Sequence, residues 1–374
     1  MPLNNMSLFQ PTDEQDLSDM LRSADAPVRV LGGDTRGEYS DHATQISTAK
    51  MSGIVDYDPG ALTMIAKSGT PISEIEALLA KEGQQLAFEP YRLGALLGRK
   101  GSSTIGGVFA TNASGSRRIQ AGAARDFLLG VRFVDGEGHL IKNGGRVMKN
   151  VTGYDLVKLM CGSWGTLGIM SEVAFKTLPA PELTQTLVLH QLDHAQAVAA
   201  MSQALGSSYE VSGTVYLCAT QSLYLRVEGF SNSVSYRVTA LRALLGEYGE
   251  QEVLDHDASL AFWSDLRDVS PLKEDKGDIW RISVQPSDGV ETFERAGFRT
   301  GFYDWSGGLI WGSVAAGTDL RARLGHFEGH ATRLRGLSET VPKFQPQPEA
   351  LARLSQGLRK QFDPRGLLNT GLIG

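Results

Sequence analysis

The chain has 374 residues, 41% hydrophobic and 21% charged, which allows two compact domains with a sizeable core. A net charge of −6 without a basic cluster argues against a nucleic-acid partner. Two cysteines without a CxxC pair exclude a disulfide framework, the first residues lack a signal-peptide pattern, and no apolar run reaches the roughly 18 residues of a membrane span.

Residues 12–23 predict a helix with Leu17, Met20 and Leu21 on one face, begun by a Thr12/Gln15 capping box. PVRVLGG reads as a strand, as does LTMIAKSGT. Thr70-Pro71 then supplies an N-cap and first turn for the helix ISEIEALLAKEG, which Gly83 ends. FLLGVRFV, a DGEG turn and HLIKNGG read as a hairpin. GYDLVKLMCG is a short helix, and GIMSEVAFKTLP a strand stopped by Pro179 and Pro181, the first domain boundary.

Beyond the prolines, TQTLVLHQL, DHAQAVAAMSQAL, TVYLCA, SLYLRVEGF and SVSYRVTALRALLGEYG read as strand, helix, strand, strand, helix. With IWRISVQP as closing strand and DASLAFWSDLRDV as an insertion, the order is ferredoxin-like. The tail holds a proline-spaced linker (VPKFQPQP), the helix EALARLSQGLRKQF and DPRGLLNTG. No internal repeat is visible.

Glycine makes up 43 of 374 residues, about 11.5% against an average near 7%, with much of the excess in the first 180 residues. Three small-residue clusters stand beside strands there: GGDTRG at 32–37, the stretch from Ser103 to Gly115, and GSWGTLGI at 162–169. Glycine permits positive φ and close approach of a ligand to main-chain amides, and consecutive inward amides cradle a pyrophosphate without a lysine. Thr35, Thr104, Asn112, Ser114, Ser116 and Thr166 add hydroxyl and amide groups. Any one cluster reads equally as a turn; three in one domain favour a dinucleotide site. GGDTRG is not GxGxxG, and GALLGRK is too short for a P-loop.

The succession VLGGDT, SGTPISEIEALLAKEGQQLAFEP, STIGGVFATNASG, ARDFLLGVRFVDGEG, KNVTGYDLVKLMCGSWGTLGIMSEVAFKTLP and FDPRGLLNTG resembles the vanillyl-alcohol-oxidase, PCMH-type FAD-binding family. MKNVTGYDL, IWRISV, YDWSGG and GHATR resemble, within it, the FAD-binding subunits of bacterial glycolate oxidases. The fold this implies is α+β: a two-subdomain PCMH-type FAD-binding domain over 1–180, a ferredoxin-like α/β cap over 181–335, and a tail over 336–374 returning to the flavin. The resemblance implies that Gly32, Gly33, Asp34 and Thr35 wrap the FAD pyrophosphate. Pro90, Thr104, Ile105, Gly106, Gly107, Asn112, Ser114 and Gly115 would line the cofactor, with Gly165 and Ile169 near its adenine or ribitol portion and Asn369 approaching from the tail. Thr370 stands where relatives usually carry the proline of NPG.

Relatives that tether FAD use a histidine in the first loop. Aspartate stands there, so non-covalent FAD is expected, and His42 reads as a surface or turn residue. Oxidation of a 2-hydroxy acid needs a forked cation for the carboxylate and a base for the hydroxyl proton, for which Arg281, His330 and Arg333 are the candidates. Flavin-edge packing and hydrogen bonding is the favoured alternative for His330, Thr332 and Arg333, and an outward salt bridge the alternative for Arg281. Two histidines four apart, His326 and His330, are weak grounds for a metal, and none is expected. Trp263, Trp280, Trp305 and Trp311 read as core or interface residues.

The expected activity is oxidation of glycolate, or a related small 2-hydroxy acid, to the 2-oxo acid (glyoxylate from glycolate) within a complex that is cytoplasmic or held at the inner face of the membrane by partner subunits. A sister FAD subunit and an iron–sulfur subunit are the partners, because no cysteine cluster here can hold a cluster. A self-sufficient dehydrogenase and a non-catalytic, flavin-containing assembly subunit are the alternatives.

Overall fold

The computed structural model describes residues 8–37, 44–146, 153–336, 338 and 340–372. His42 and the stretch 147–152, which includes the MKNVT part of one motif, lie outside the described residues.

β1 (Leu8–Phe9), α1 (Glu14–Ser23), β2 (Val28–Leu31) and β3 (Thr44–Ser47) come first, and their strands form a small parallel sheet ordered β1-β3-β2. There follow β4 (Ile54–Asp58), β5 (Thr63–Lys67), α2 (Ile72–Lys81), β6 (Gln84–Gln85) and the short helices α3 (Ile105–Ala110), α4 (Arg118–Ala121) and α5 (Ala124–Phe127). β7 (Leu128–Val134), β8 (Leu140–Gly144), α6 (Leu156–Met160), β9 (Ile169–Lys176) and β10 (Leu178–Pro179) complete this unit. Its main sheet is antiparallel, ordered β4-β5-β9-β7-β8. β9 occupies the centre because IMSEVAFK offers apolar side chains to both faces, and six of its eight residues are buried.

Two helix starts differ from expectation by one residue. Asp13, not Thr12, caps α1, its carboxylate accepting from the Asp16 amide at 2.8 Å. α2 begins after Pro71, and the Thr70 hydroxyl donates instead to the Lys67 carbonyl at 2.7 Å. An ionised acceptor makes the stronger bond at a helix N-terminus.

The second unit runs through β11 (Leu183–Leu189), α7 (His194–Leu205), β12 (Val211–Leu217), β13 (Ser222–Gly229), α8 (Ser231–Leu244), β14 (Gln251–Leu254) and α9 (His256–Arg267). β15 (Asp278–Val284), α10 (Gly289–Ala296), β16 (Thr300–Asp304), β17 (Leu309–Val314), α11 (Leu320–Leu324) and β18 (Gly329–Arg335) continue it. All eight strands join one antiparallel sheet, ordered β14-β11-β13-β12-β16-β17-β15-β18. It contains strand–helix–strand–strand–helix–strand twice, β11 to β14 and β15 to β18, and the two halves meet where β12 pairs with β16. The closing strand of the first half is therefore Gln251–Leu254, and IWRISV opens the second. The halves share topology without a shared motif, which is why no repeat is visible in the sequence.

Alternation along these strands divides the core in two. Tyr216, Tyr303, Ile310 and Trp280 face the helices, whereas Val215, Phe302, Trp311 and Ile279 face the first unit and pack on Tyr91, Leu93 and Leu96. A buried ionic network crosses the same interface. Arg226 donates through both terminal nitrogens to the two carboxylate oxygens of Glu89, each at 3.0 Å, and stacks on Trp263 at 4.2 Å. Arg117 is paired with Glu228, its Nε donating at 3.0 Å. Each charge has a forked partner, as burial of ions demands.

The tail returns across the first unit. α12 (Glu349–Phe362) buries none of its residues and leaves Leu351, Leu354 and Leu358 exposed. After it, the Val28 amide donates to Leu367 and the Asn369 amide to Val28, at 2.7 and 3.0 Å, extending the sheet beyond β2. No described helix is long and apolar enough to cross a membrane.

Candidate functional site

The three glycine bends meet at one cleft. About 700 Å³ of space, open to solvent, is bounded by Gly32–Gly37 after β2, by Ser103, Thr104, Gly106 and Gly107 at the start of α3, and by Trp164, Gly165, Gly168 and Ile169 at the entry to β9. Val30 and Leu31 of β2, Ala110 of α3, and Thr48, Ser68, Thr111 and Met170 also line it. Small residues are required because the bends touch main chain to main chain. A Cβ on Gly33 would lie 1.5 Å from the Ser102 carbonyl oxygen, and one on Gly106 2.5 Å from the Ser68 Cβ.

The first bend carries the donors. Asp34 has φ of 51°, in the left-handed region, which turns successive amides toward one side. Among the described residues, the amides of Gly33, Asp34, Thr35 and Arg36 donate no hydrogen bond to another group of the chain. The Ser68 hydroxyl, at the cleft wall, is buried without a partner. The second bend differs: the Ile105 amide donates to Thr70 at 3.0 Å and that of Gly106 to Ser68 at 2.8 Å. It supplies a thin wall rather than free amides. A row of unsatisfied donors, a cradle that side chains would fill and an orphaned hydroxyl fit a dinucleotide pyrophosphate.

Of the residues expected at the cofactor, Gly32, Gly33, Asp34, Thr35, Thr104, Gly106, Gly107, Gly165 and Ile169 line this cleft. Pro90, Ile105, Asn112, Ser114, Gly115 and Asn369 do not. Ile105 is fully buried in the core beneath α3. The Pro90 carbonyl accepts from Arg267, and that of Gly115 from the Trp305 indole at 3.0 Å. Asn112 and Ser114 accept from the amides of Arg125 and Ala124 at 3.0 and 2.9 Å, so their side chains organise the loop itself. Asn369 acts from behind: its amide oxygen accepts from Val30 at 2.8 Å, and its nitrogen donates to the Trp164 carbonyl at 2.7 Å. The Asp34 carboxylate accepts from Arg29 at 2.6 Å.

Beside the cleft, at the interface of the two units, lies a second polar cluster. Arg36 reaches from the cleft to the Tyr91 carbonyl at 2.5 Å. The Tyr91 hydroxyl donates to Asp304, which also accepts from the Ser116 hydroxyl at 2.7 Å. Burial pushes the Asp304 carboxyl up to about 6 against these donors. Arg281 lies over Trp305 at 5.0 Å and Trp311 at 5.8 Å. Its strand partner Thr332 places His330, two residues along β18, on the same face. His330 is an exposed residue near the start of β18, and partial desolvation of its ring, then the charges of Arg281 and Arg118, lower its pKa and favour the neutral imidazole.

Arg333 does not join them. It pairs with Trp280, which faces the helices, so the thickness of the sheet separates it from Arg281. The register is continuous from Trp280–Arg333 to Val284–Gly329, and it slips only beyond Arg333, where Leu334 of β18 is the extra residue. His326 is exposed, 3.3 Å from Glu328, ahead of the strand that carries His330. The two histidines share no helix face.

Two features had no sequence signal of their own. Trp164 lines the cleft, and Phe344 of the linker packs edge-on against it at 4.9 Å. The neighbouring Lys343 donates to the Arg36 carbonyl at 2.9 Å, while its own carbonyl accepts from the Arg333 amide and from Arg321, at 2.9 and 2.7 Å. The linker is thus a strap tying the large sheet to two cleft walls. Its pattern, VPKFQPQP, reads only as a linker because its contacts come from distant segments.

Comparison with known proteins agrees with this geometry. The FAD binding domain family matches residues 7–144. Glycolate oxidase subunit GlcE of Escherichia coli K12 is 36% identical over 85% of this chain and 84% of its own. The chain belongs to the family of FAD-binding glycolate oxidase subunits. Glycolate oxidase subunit GlcD of Bacillus subtilis is 35% identical over 37% of this chain, which spans 28% of that longer protein. The solved structure of p-cresol methylhydroxylase with substrate bound superposes with a TM-score of 0.68 at 12% identity, covering 100% of this chain and 91% of that one. The family's cofactor is FAD, and the fold is of the PCMH type, mixing helix and sheet.

Proposed function

We propose that this chain is the FAD-carrying subunit of a complex that oxidises glycolate, or a close 2-hydroxy acid, to the 2-oxo acid and passes the electrons to partner subunits. The observation that carries this reading is the row of unsatisfied amides from Gly33 to Arg36 in a cleft that also presents the Ser68 hydroxyl. Residues 1–180 are the FAD domain, 181–335 the cap, and 336–374 the returning tail. Bound without a covalent link, FAD supplies a two-electron acceptor. Gly33–Arg36 and Thr104 hold its pyrophosphate, and Gly165 and Ile169 its neighbouring portion.

The chemistry left to the chain is binding and proton transfer. Arg281 receives the substrate carboxylate, and His330, neutral at pH 7, takes the hydroxyl proton. The sister flavin subunit and an iron–sulfur subunit supply the onward route. Cys161 and Cys218 are too few for a cluster, and burial pushes both thiols up to about 12, which leaves them un-ionised. The complex works at the cytoplasmic side of the membrane.

A visible spectrum of the purified chain tests the reading. A flavin band in the isolated protein, bleached by glycolate at catalytic rate only when partner subunits are present, is the expected result; a colourless protein that refuses added FAD overturns it. The Arg281–His330 cluster favours a second reading, in which this chain oxidises the substrate unaided, and fast anaerobic bleaching of the lone chain would select it.

A further inference from the structure

We propose that Arg118 and Arg281, one from each unit, form a two-guanidinium clamp for the carboxylate of a small 2-hydroxy or 2-oxo acid, built around the Trp305 ring. It rests on the reading above and adds a binding residue from the FAD unit.

Both guanidiniums sit against the same indole, Arg118 at 4.7 Å and Arg281 at 5.0 Å from its centroid. Neither makes a hydrogen bond or an ion pair within the described residues. Their neighbours differ: Arg117 is paired with Glu228, Arg226 with Glu89, and Arg36 with Tyr91 and Ser103. Both are half-buried, and holding two partly desolvated cations beside one ring is unfavourable without an anion. The strain shows in Arg281, pushed down to about 10 by burial and by Arg118. The Asp304 carboxylate, which acts on Arg281, has its oxygens taken by Tyr91, Ser116 and the Trp305 amide, and the Asp126 carboxylate, which acts on Arg118, accepts from the Ala123 amide at 2.8 Å.

Charge selects the ligand. Two guanidiniums share one ring, and the carboxylates that act on them are already engaged by other donors, so the open forks suit a small carboxylate anion. The planar forks suit a carboxylate gripped from two sides. Placement agrees: the Trp305 indole donates to Gly115 beside Arg118, and Arg36 links Tyr91 to the cleft. Closure of the clamp therefore requires both units to be docked.

The test uses the full chain and oxalate as the probe, with binding read by calorimetry and by quenching of tryptophan emission, in apo and FAD-loaded protein. Wild type should bind oxalate. Arg118→Gln and Arg281→Gln should each raise Kd at least about tenfold, and Arg118→Lys should recover only part because an ammonium lacks the fork. Thermal midpoints and FAD content should stay at wild-type values. Unchanged oxalate affinity in Arg118→Gln, or a wild type that does not bind oxalate, overturns the clamp. A wild type that binds oxalate but no FAD keeps the clamp and sinks the cofactor reading instead.

Discussion

Asn369, five residues from the end of the chain, donates from its side-chain amide to the carbonyl of Trp164 at 2.7 Å, while the same amide's oxygen accepts from Val30 at 2.8 Å. One side chain from the tail thus fixes two cleft walls that lie 134 positions apart in sequence. Asn369 itself has φ of 44°, which asparagine tolerates better than alanine.

Asn369→Ala should therefore strand the Val30 amide and release the Trp164 bend. Losing two such bonds costs on the order of 1–3 kcal/mol. FAD affinity, measured by quenching of flavin emission, should fall about tenfold. An unchanged Kd would mean that the Asn369 bridge does not shape the cleft.

The thin-wall argument gives a contrast between two glycines. Gly33→Ala drives a methyl into the Ser102 carbonyl, so the variant should lose FAD binding and melt earlier. Gly357, in exposed α12, has nothing within 4 Å of a built Cβ. Gly357→Ala should stabilise the protein by about 0.5–1 kcal/mol in urea unfolding, through helix propensity alone.

Glu228 supplies a pH dependence. Arg226 and Arg117 outweigh burial and hold its carboxyl down to about 2, against 4.5 for a free glutamate. A depressed pKa stabilises the folded state fully above the unfolded value, and the gain disappears as pH falls from 4.5 toward 2. Glu228→Gln should cost about 3 kcal/mol at pH 7, since it leaves buried arginine charge uncompensated. The gap from wild type, followed by urea unfolding at successive pH values, should close on acidification; a constant gap would show that the charge is not what matters.

Phe344 and Lys343 set the fastening of the strap. Phe344→Ala removes the edge contact on Trp164, and Lys343→Met the bond to Arg36. Either change should speed FAD release several-fold after dilution, recorded as recovered flavin fluorescence, with a larger effect on dissociation than on association. Wild-type release rates in both would leave the strap without a role in retention.

Much of the architecture was legible in the residues. Periodicity and punctuation mark α2, β7, β8, α7, β13 and α12 because each carries a local pattern and a local stop. The glycine clusters mark the cleft because only small residues allow backbone to meet backbone. The second half of the large sheet was harder to read: α10, β16, β17 and α11 are short, and β17 is buried on both faces, so no alternation shows.

The sequence by itself determined the family, the cofactor class and which bends have thin walls, since these depend on residue size and order along the chain. Only the tertiary structure decided that Arg333 turns away from Arg281, that Arg118 turns toward it, and that Lys343 and Asn369 close the cleft from the far end of the chain. A one-residue change in strand register reverses the face a side chain occupies, and contacts between remote segments leave no periodic trace. Both are settled by packing.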